Sequence, residues 1–135
     1  MEIHDSFQRI LEAEDQLGVM FYQHFLAEYP EVQRHFERVD LKRQSILLVT
    51  ALMIIGRHAT NATPATELYL QYLGTRHKDM QIPKDIYPAW IKAMLETMRR
   101  FHGQDWSPEL EDQWREAFER AVEIMYRGYD HRVTV

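Results

Sequence analysis

Helix-breaking residues are scarce in this chain and widely spaced, which constrains its fold more than any other feature. The 135 residues contain five prolines and five glycines, and every long segment between them carries apolar residues at helical spacing. There is no hairpin signal, no run of β-branched alternation, no internal repeat and no low-complexity stretch. The reading is an all-α chain forming a single domain over residues 1–135.

The first segment runs from about Asp5 to Tyr29, with Phe7, Ile10, Leu11, Leu17, Phe21 and Phe25 at helical spacing and a break near Glu14–Leu17 that divides it in two. Tyr29-Pro30 ends it, because a residue before proline is pushed out of the α region. A connection from Pro30 to Val39 carries Val32 and Phe36. Asp40 caps a second long helix over 41–60, with an apolar face of Leu41, Gln44/Ser45, Leu48, Leu52 and Ile55. Thr63-Pro64 restarts the chain as N-cap and first helical residue, predicting a short helix over 64–76 with Leu68, Leu70 and Leu73. A non-helical bridge over 78–83 leads to a helix over 84–102 that Gly103 terminates. Ser107-Pro108 then opens a last helix, on Leu110, Trp114, Phe118, Val122 and Met125, to about Tyr126.

Composition narrows the chemistry. No cysteine is present, so disulfides, thiolate ligands, covalently attached haem and iron–sulfur clusters are excluded; His, Tyr, Met and carboxylates remain as ligands. A formal charge of -5 speaks against a nucleic-acid partner, and Arg99-Arg100 is a pair of cations at a helix C-terminus. No window approaches the ~18 apolar residues of a membrane span. The start, MEIHDSFQRI, lacks the order of a signal peptide, so a cytoplasmic protein is expected. The last predicted helix carries Glu109, Glu111, Glu116, Glu119 and Glu123, but a di-iron bundle needs Glu-x-x-His on two helices and there is none. These carboxylates read as a solvated face.

The segment Tyr72-Leu73-Gly74-Thr75-Arg76-His77, followed by Met80-Gln81-Ile82-Pro83 and Tyr87-Pro88, stands out. On periodicity alone His77 is open between a ligand projecting from a helix end and a capping or surface histidine; the chain has seven histidines. Over nearly its whole length, however, the chain resembles bacterial single-domain globins and the haem domains of flavohaemoglobins. Three stretches carry the likeness: Leu73-Gly74-Thr75-Arg76-His77-Lys78 with Ile82 and Tyr87-Pro88; Phe21-Tyr22-Gln23-His24-Phe25 and Pro30-Glu31-Val32 with Phe36; and Gln44 with Leu48 one turn later.

The resemblance implies a globin fold around haem b (iron protoporphyrin IX), with His77 as the proximal ligand of the iron. A neutral imidazole suits iron and leaves the opposite axial position to a gas. Tyr22 and Gln44 would be the distal hydrogen-bond donors, each contributing on the order of 1 kcal/mol. Phe36 would stack on the porphyrin and Leu48 would fill the distal side, although Leu48 reads equally well as ordinary core. Ile82, Tyr87, Trp90 and Phe118 are further haem contacts, and Arg76 is the cation for a propionate. The chain departs from the family in three places. The segment before Phe21 is short, so the first helix reads as truncated. The interval from Gln44 to His77 is a residue or two longer than in the family, which leaves Arg43 as an alternative to Gln44. The glutamate with which flavohaemoglobins back the proximal histidine falls among Tyr129, Asp130 and His131, while Tyr87 matches the tyrosine that holds it.

These residues imply a haem protein that reversibly binds O₂ and related diatomic gases, expected as a monomer or weak homodimer. The enzymatic alternative is NO dioxygenation relying on a separate reductase, since no reductase segment follows within the 135 residues. A sensor or redox globin is the third reading, with a second histidine closing the sixth site. His58 lies ~20 Å along the helix from Gln44, too far for that role, and His35 beside Phe36 is the better placed.

Overall fold

A computed structural model describes residues 1–134. Six α-helices follow one another among these residues, with no strand: α1 (Ile3–Glu12), α2 (Gln16–Glu28), α3 (Leu41–Thr60), α4 (Pro64–Asp79), α5 (Ile86–His102) and α6 (Pro108–Asp130). Short 3₁₀ turns cover Pro30–Phe36 and Gly103–Asp105. The breaks fall where the chain's own chemistry puts them. The Asp40 carboxylate accepts from the amides of Lys42 and Arg43, Thr63 Oγ1 accepts from Thr66, and Ser107 Oγ accepts from Leu110, which satisfies donors at three helix starts.

Three boundaries differ from the sequence expectation. α4 continues through His77 to Asp79, because Gln81 adopts a left-handed φ of 63° and closes the helix later. The Ile82 amide donates to the His77 carbonyl (3.0 Å) and the Gln81 amide to that of Lys78 (2.9 Å), a paired closure usually built on glycine. α5 begins at Ile86 rather than Lys84, because Lys84 and Asp85 lie in a turn in which the Ile86 amide donates to the Pro83 carbonyl. α6 runs on to Asp130, held against α4 by Thr75 Oγ1 donating to the Gly128 carbonyl (2.7 Å) and Lys78 Nζ to that of Tyr129 (2.9 Å). Three residues expected on apolar faces are exposed, Leu11, Leu41 and Leu68.

α4 and α6 meet at a mutual notch. A Cβ on Gly74 would lie 1.9 Å from the Met125 carbonyl oxygen, and one on Gly128 would lie 2.0 Å from that of Gln71, so neither position accepts a side chain. α2 packs on α3 and α5, while α1 lies against α3 and α6. The core between them holds Ile10, Leu17, Phe21, Leu52, Met94, Met98, Leu110, Trp114 and Phe118, all fully buried. Away from α4, the Trp114 indole N–H donates to Ser6 Oγ (2.9 Å), and Ser6 Oγ lies 2.7 Å from His102 Nε2. This buried network ties α1 to α5 and α6.

Candidate functional site

A cavity of about 420 Å³ opens between α2, the 3₁₀ turn after it, and α3 to α6. The ten residues singled out in the sequence, Tyr22, Phe36, Gln44, Leu48, Arg76, His77, Ile82, Tyr87, Trp90 and Phe118, all line it. Residues up to 96 positions apart thus meet around one space, whose walls are mainly apolar and aromatic.

One wall comes from α2 and α3. These helices touch where a Cβ on Gly18 would come within 2.6 Å of Ser45 Cβ. That close crossing brings Tyr22, one turn past Gly18, beside Gln44, the neighbour of Ser45. Gln44 Nε2 donates to Tyr22 Oη over 3.3 Å. No group among the described residues accepts the Tyr22 hydroxyl proton, so that donor is left for whatever enters the cavity. Burial pushes the Tyr22 phenol up to about 12, against the lowering effect of Gln44, and keeps it a neutral donor. Phe36 packs against the Tyr22 ring at 5.3 Å between centroids. Phe21, Trp90, Phe118 and Trp114 continue the series of ring contacts into the core. Of the two residues the spacing left as alternatives, Gln44 lines the cavity and Arg43 does not.

A second wall comes from the end of α4 and the start of α5. His77 lies in the last turn of α4, half-buried, with Nδ1 2.8 Å from Tyr87 Oη. Its other ring nitrogen, Nε2, has no hydrogen-bond partner among the described residues. Burial, reinforced by the neighbouring Arg76 guanidinium, brings the imidazole down to about 4, so it is neutral at physiological pH. A neutral imidazole with one nitrogen engaged and the other free is the state in which histidine ligates a metal. Arg76 lines the cavity and is exposed, as a cation meeting both the cavity and solvent must be. His35 also lines the cavity, whereas His58 lies outside it, its Nδ1 2.7 Å from Thr66 Oγ1.

Sequence reasoning passed over several lining residues, among them Ile55, Tyr69, Met80 and Met125. Ile55 and Met125 have the helical spacing of any core residue, so no signal separates them. Tyr69 and Met80 are exposed, and Met80 entered only as part of the segment after His77. Tyr129 was placed only as a residue near a missing glutamate. Its hydroxyl lies 3.1 Å from that of Tyr87, directly behind the His77 contact.

Comparison with known proteins agrees with this geometry. The Globin family model matches residues 19–125, a stretch that includes Tyr22, Gln44, His77 and Phe118. A flavohemoprotein of Candida albicans is 29% identical over 98 residues, covering 71% of this chain and 24% of that protein. An anaerobic nitrite reductase HBII of Casuarina glauca is 24% identical over 120 residues, covering 79% of this chain and 75% of its own. The chain thus spans about a quarter of the flavohemoprotein's length. A solved structure from Pseudomonas aeruginosa PAO1, described as structurally highly homologous to a human hemoglobin, superposes with a TM-score of 0.81 at 26% identity. That superposition covers 94% of this chain and 95% of the other. With a family model spanning both walls of the cavity and a solved fold matching end to end, this chain belongs to the globin family.

Proposed function

We propose that this chain binds haem b through His77 and uses it to hold O₂ and related diatomic gases reversibly. The observation that carries the reading is a pair of unspent valences on residues that line one cavity, the His77 Nε2 lone pair and the Tyr22 hydroxyl proton. The residues present fit a haem. The cavity is within the size range of cofactor pockets, its lining is apolar and aromatic, and its polar groups are few and separated. With His77 as the residue that would hold it, haem would supply an iron able to bind a diatomic gas.

The chain's own groups do the rest. His77 would hold the iron, and Tyr87 fixes the plane of its ring. Phe36, Leu48, Trp90 and Phe118 exclude water from the cavity, which strengthens any hydrogen bond made inside it. Tyr22 offers its proton to a ligand that draws negative charge, and Gln44 fixes where that proton points. Arg76 is the cation available to a propionate.

The test is an absorption spectrum of protein reconstituted with haemin. A shifted Soret band and a stable oxygenated ferrous form are expected, with iron ligation lost in His77→Ala. An unshifted Soret band, or unchanged ligation in His77→Ala, would overturn the assignment.

A second reading, NO dioxygenation with a separate reductase, is favoured by the likeness to a flavohemoprotein. Sustained NO consumption with a general electron donor would support it, and a single turnover would leave the chain a gas binder. His35 on the cavity wall keeps a six-coordinate sensor form open to test. A low-spin ferric spectrum abolished by His35→Ala is its signature.

A further inference from the structure

We infer that Tyr129 is a positioning residue for His77, the last side chain of a one-way relay of neutral hydrogen bonds that ends on the Ile82 carbonyl. The inference rests on the reading of His77 as iron ligand. Its core, the direction of each hydrogen bond, does not depend on haem.

The direction follows from counting protons. Tyr129 Oη lies 2.7 Å from the Ile82 carbonyl oxygen, which can only accept, so Tyr129 gives its single proton there. Tyr87 Oη lies 3.1 Å from Tyr129 Oη, and the Tyr129 proton is already committed, so Tyr87 is the donor. The Tyr87 proton is spent in turn, and Tyr87 Oη must accept from His77 Nδ1 at 2.8 Å. His77 is therefore the tautomer with its proton on Nδ1, and the lone pair sits on Nε2. Each link leaves the next only one choice.

Both ends of the relay are fixed by the backbone around α4. The helix closure that puts Gln81 in its left-handed conformation also presents the Ile82 carbonyl to Tyr129. The Tyr129 main chain is held by Lys78 Nζ on its carbonyl, next to the Gly128 notch against α4. Asp130, the nearest carboxylate on α6, is exposed and paired with Lys84 at 3.1 Å. Where relatives would supply a carboxylate, this chain ends the relay on a neutral carbonyl.

A carboxylate acceptor draws the Nδ1 proton away and makes histidine a stronger donor to iron; a neutral relay withholds that push. Onward donation from Tyr87 to Tyr129 still makes the Tyr87 oxygen a better acceptor for His77, through hydrogen-bond cooperativity. Removing Tyr129 should loosen His77 without touching it.

The experiment compares wild type with Tyr129→Phe, Tyr87→Phe and Tyr126→Phe in two states. In haem-free protein, ¹H–¹⁵N NMR of the imidazole is expected to show the Nδ1–H tautomer of His77 in wild type. Tyr129→Phe should give a mixture of tautomers and Tyr87→Phe the largest departure. Tyr126→Phe, whose ring packs edge-on against Tyr87, should match wild type. In haem-loaded ferrous protein, the iron–histidine stretching frequency should fall in the order Tyr126→Phe, Tyr129→Phe, Tyr87→Phe. Haem loss to an acceptor apoglobin should quicken about tenfold in Tyr129→Phe. An Nε2–H tautomer in wild type, or a Tyr129→Phe protein matching wild type in both states, overturns the inference. Failure to take up haem would overturn the proposed function alone, since the tautomer is read without it. Circular dichroism of each variant separates a lost relay from a lost fold.

Discussion

Tyr22 and Gln44 touch the same cavity but have different capacities left. The Gln44 amide already donates to Tyr22, while the Tyr22 proton is uncommitted. Tyr22→Phe therefore removes the donor itself and should speed O₂ dissociation about tenfold, the rate equivalent of one lost hydrogen bond near 1.4 kcal/mol. Gln44→Leu acts through the orientation of Tyr22 and should have the smaller effect. Flash photolysis or stopped-flow dissociation measures both, and a larger effect of Gln44→Leu would contradict the assignment. His77 sets the acid limit. Its imidazole is held down to about 4 by burial and Arg76, against an ordinary value of 6.5. A ligating histidine must be neutral, so haem uptake should be flat from pH 7 to 5 and fail only towards pH 4. Unfolded chain binds a proton at His77 below pH 6.5 that the folded haem-free chain refuses until about pH 4. Stability of the haem-free protein is thus full above pH 6.5 and falls by up to about 1.4 kcal/mol per pH unit across that window. Urea midpoints taken between pH 7 and 4, with His77→Leu as comparison, test the sign.

α4 carries most of the difference between what the sequence announces and what the chain does. Its start was legible, because Thr63 and Pro64 are a strong pair of start signals and Thr66 completes the reciprocal cap. Its end was not, because the left-handed closing residue is Gln81 and not glycine. Putting the strain right there should help: Gln81→Gly is expected to raise stability by about 0.5–1 kcal/mol, the left-handed penalty less the added chain entropy. The denaturant midpoint would read it. Gly74 has the opposite character. It was visible as part of a motif around His77, yet only the structure supplies the reason, the Met125 carbonyl where a Cβ would be. Gly74→Ala should cost about 3 kcal/mol by forcing α4 from α6, and His77 ligation should weaken with it. The relay partner Tyr129 lay beyond sequence reasoning for a related reason. It is 52 positions from His77, and its role depends on α6 continuing past Tyr126.

At the scale of the whole molecule, two polar assemblies have only α5 in common and answer to different things. Ser6, Trp114 and His102 bind α1 to α5 and α6 through two buried hydrogen bonds that meet on Ser6 Oγ. Tyr22, Gln44, His77 and Tyr87 line a cavity that six successive elements enclose, and two of their valences have no partner among the described residues. A haem that binds only the folded chain adds RT ln(1 + [L]/Kd), about 4 kcal/mol at a thousandfold excess over Kd. For a chain of 135 residues that is a rise in Tm of roughly 15 °C. The two assemblies share no residue, so changes in them should add. Ser6→Ala strips a partner from the buried Trp114 indole and should lower the stability of haem-free and haem-loaded protein equally, by about 1–3 kcal/mol. The rise on loading would stay as in wild type. His77→Ala should do the reverse, keeping most of the haem-free stability at neutral pH and cutting the rise. Calorimetry of the three proteins, with and without haemin, decides it. If Ser6→Ala shortened the rise as much as His77→Ala, the fold would be one cooperative unit around the haem rather than a scaffold with a separable site.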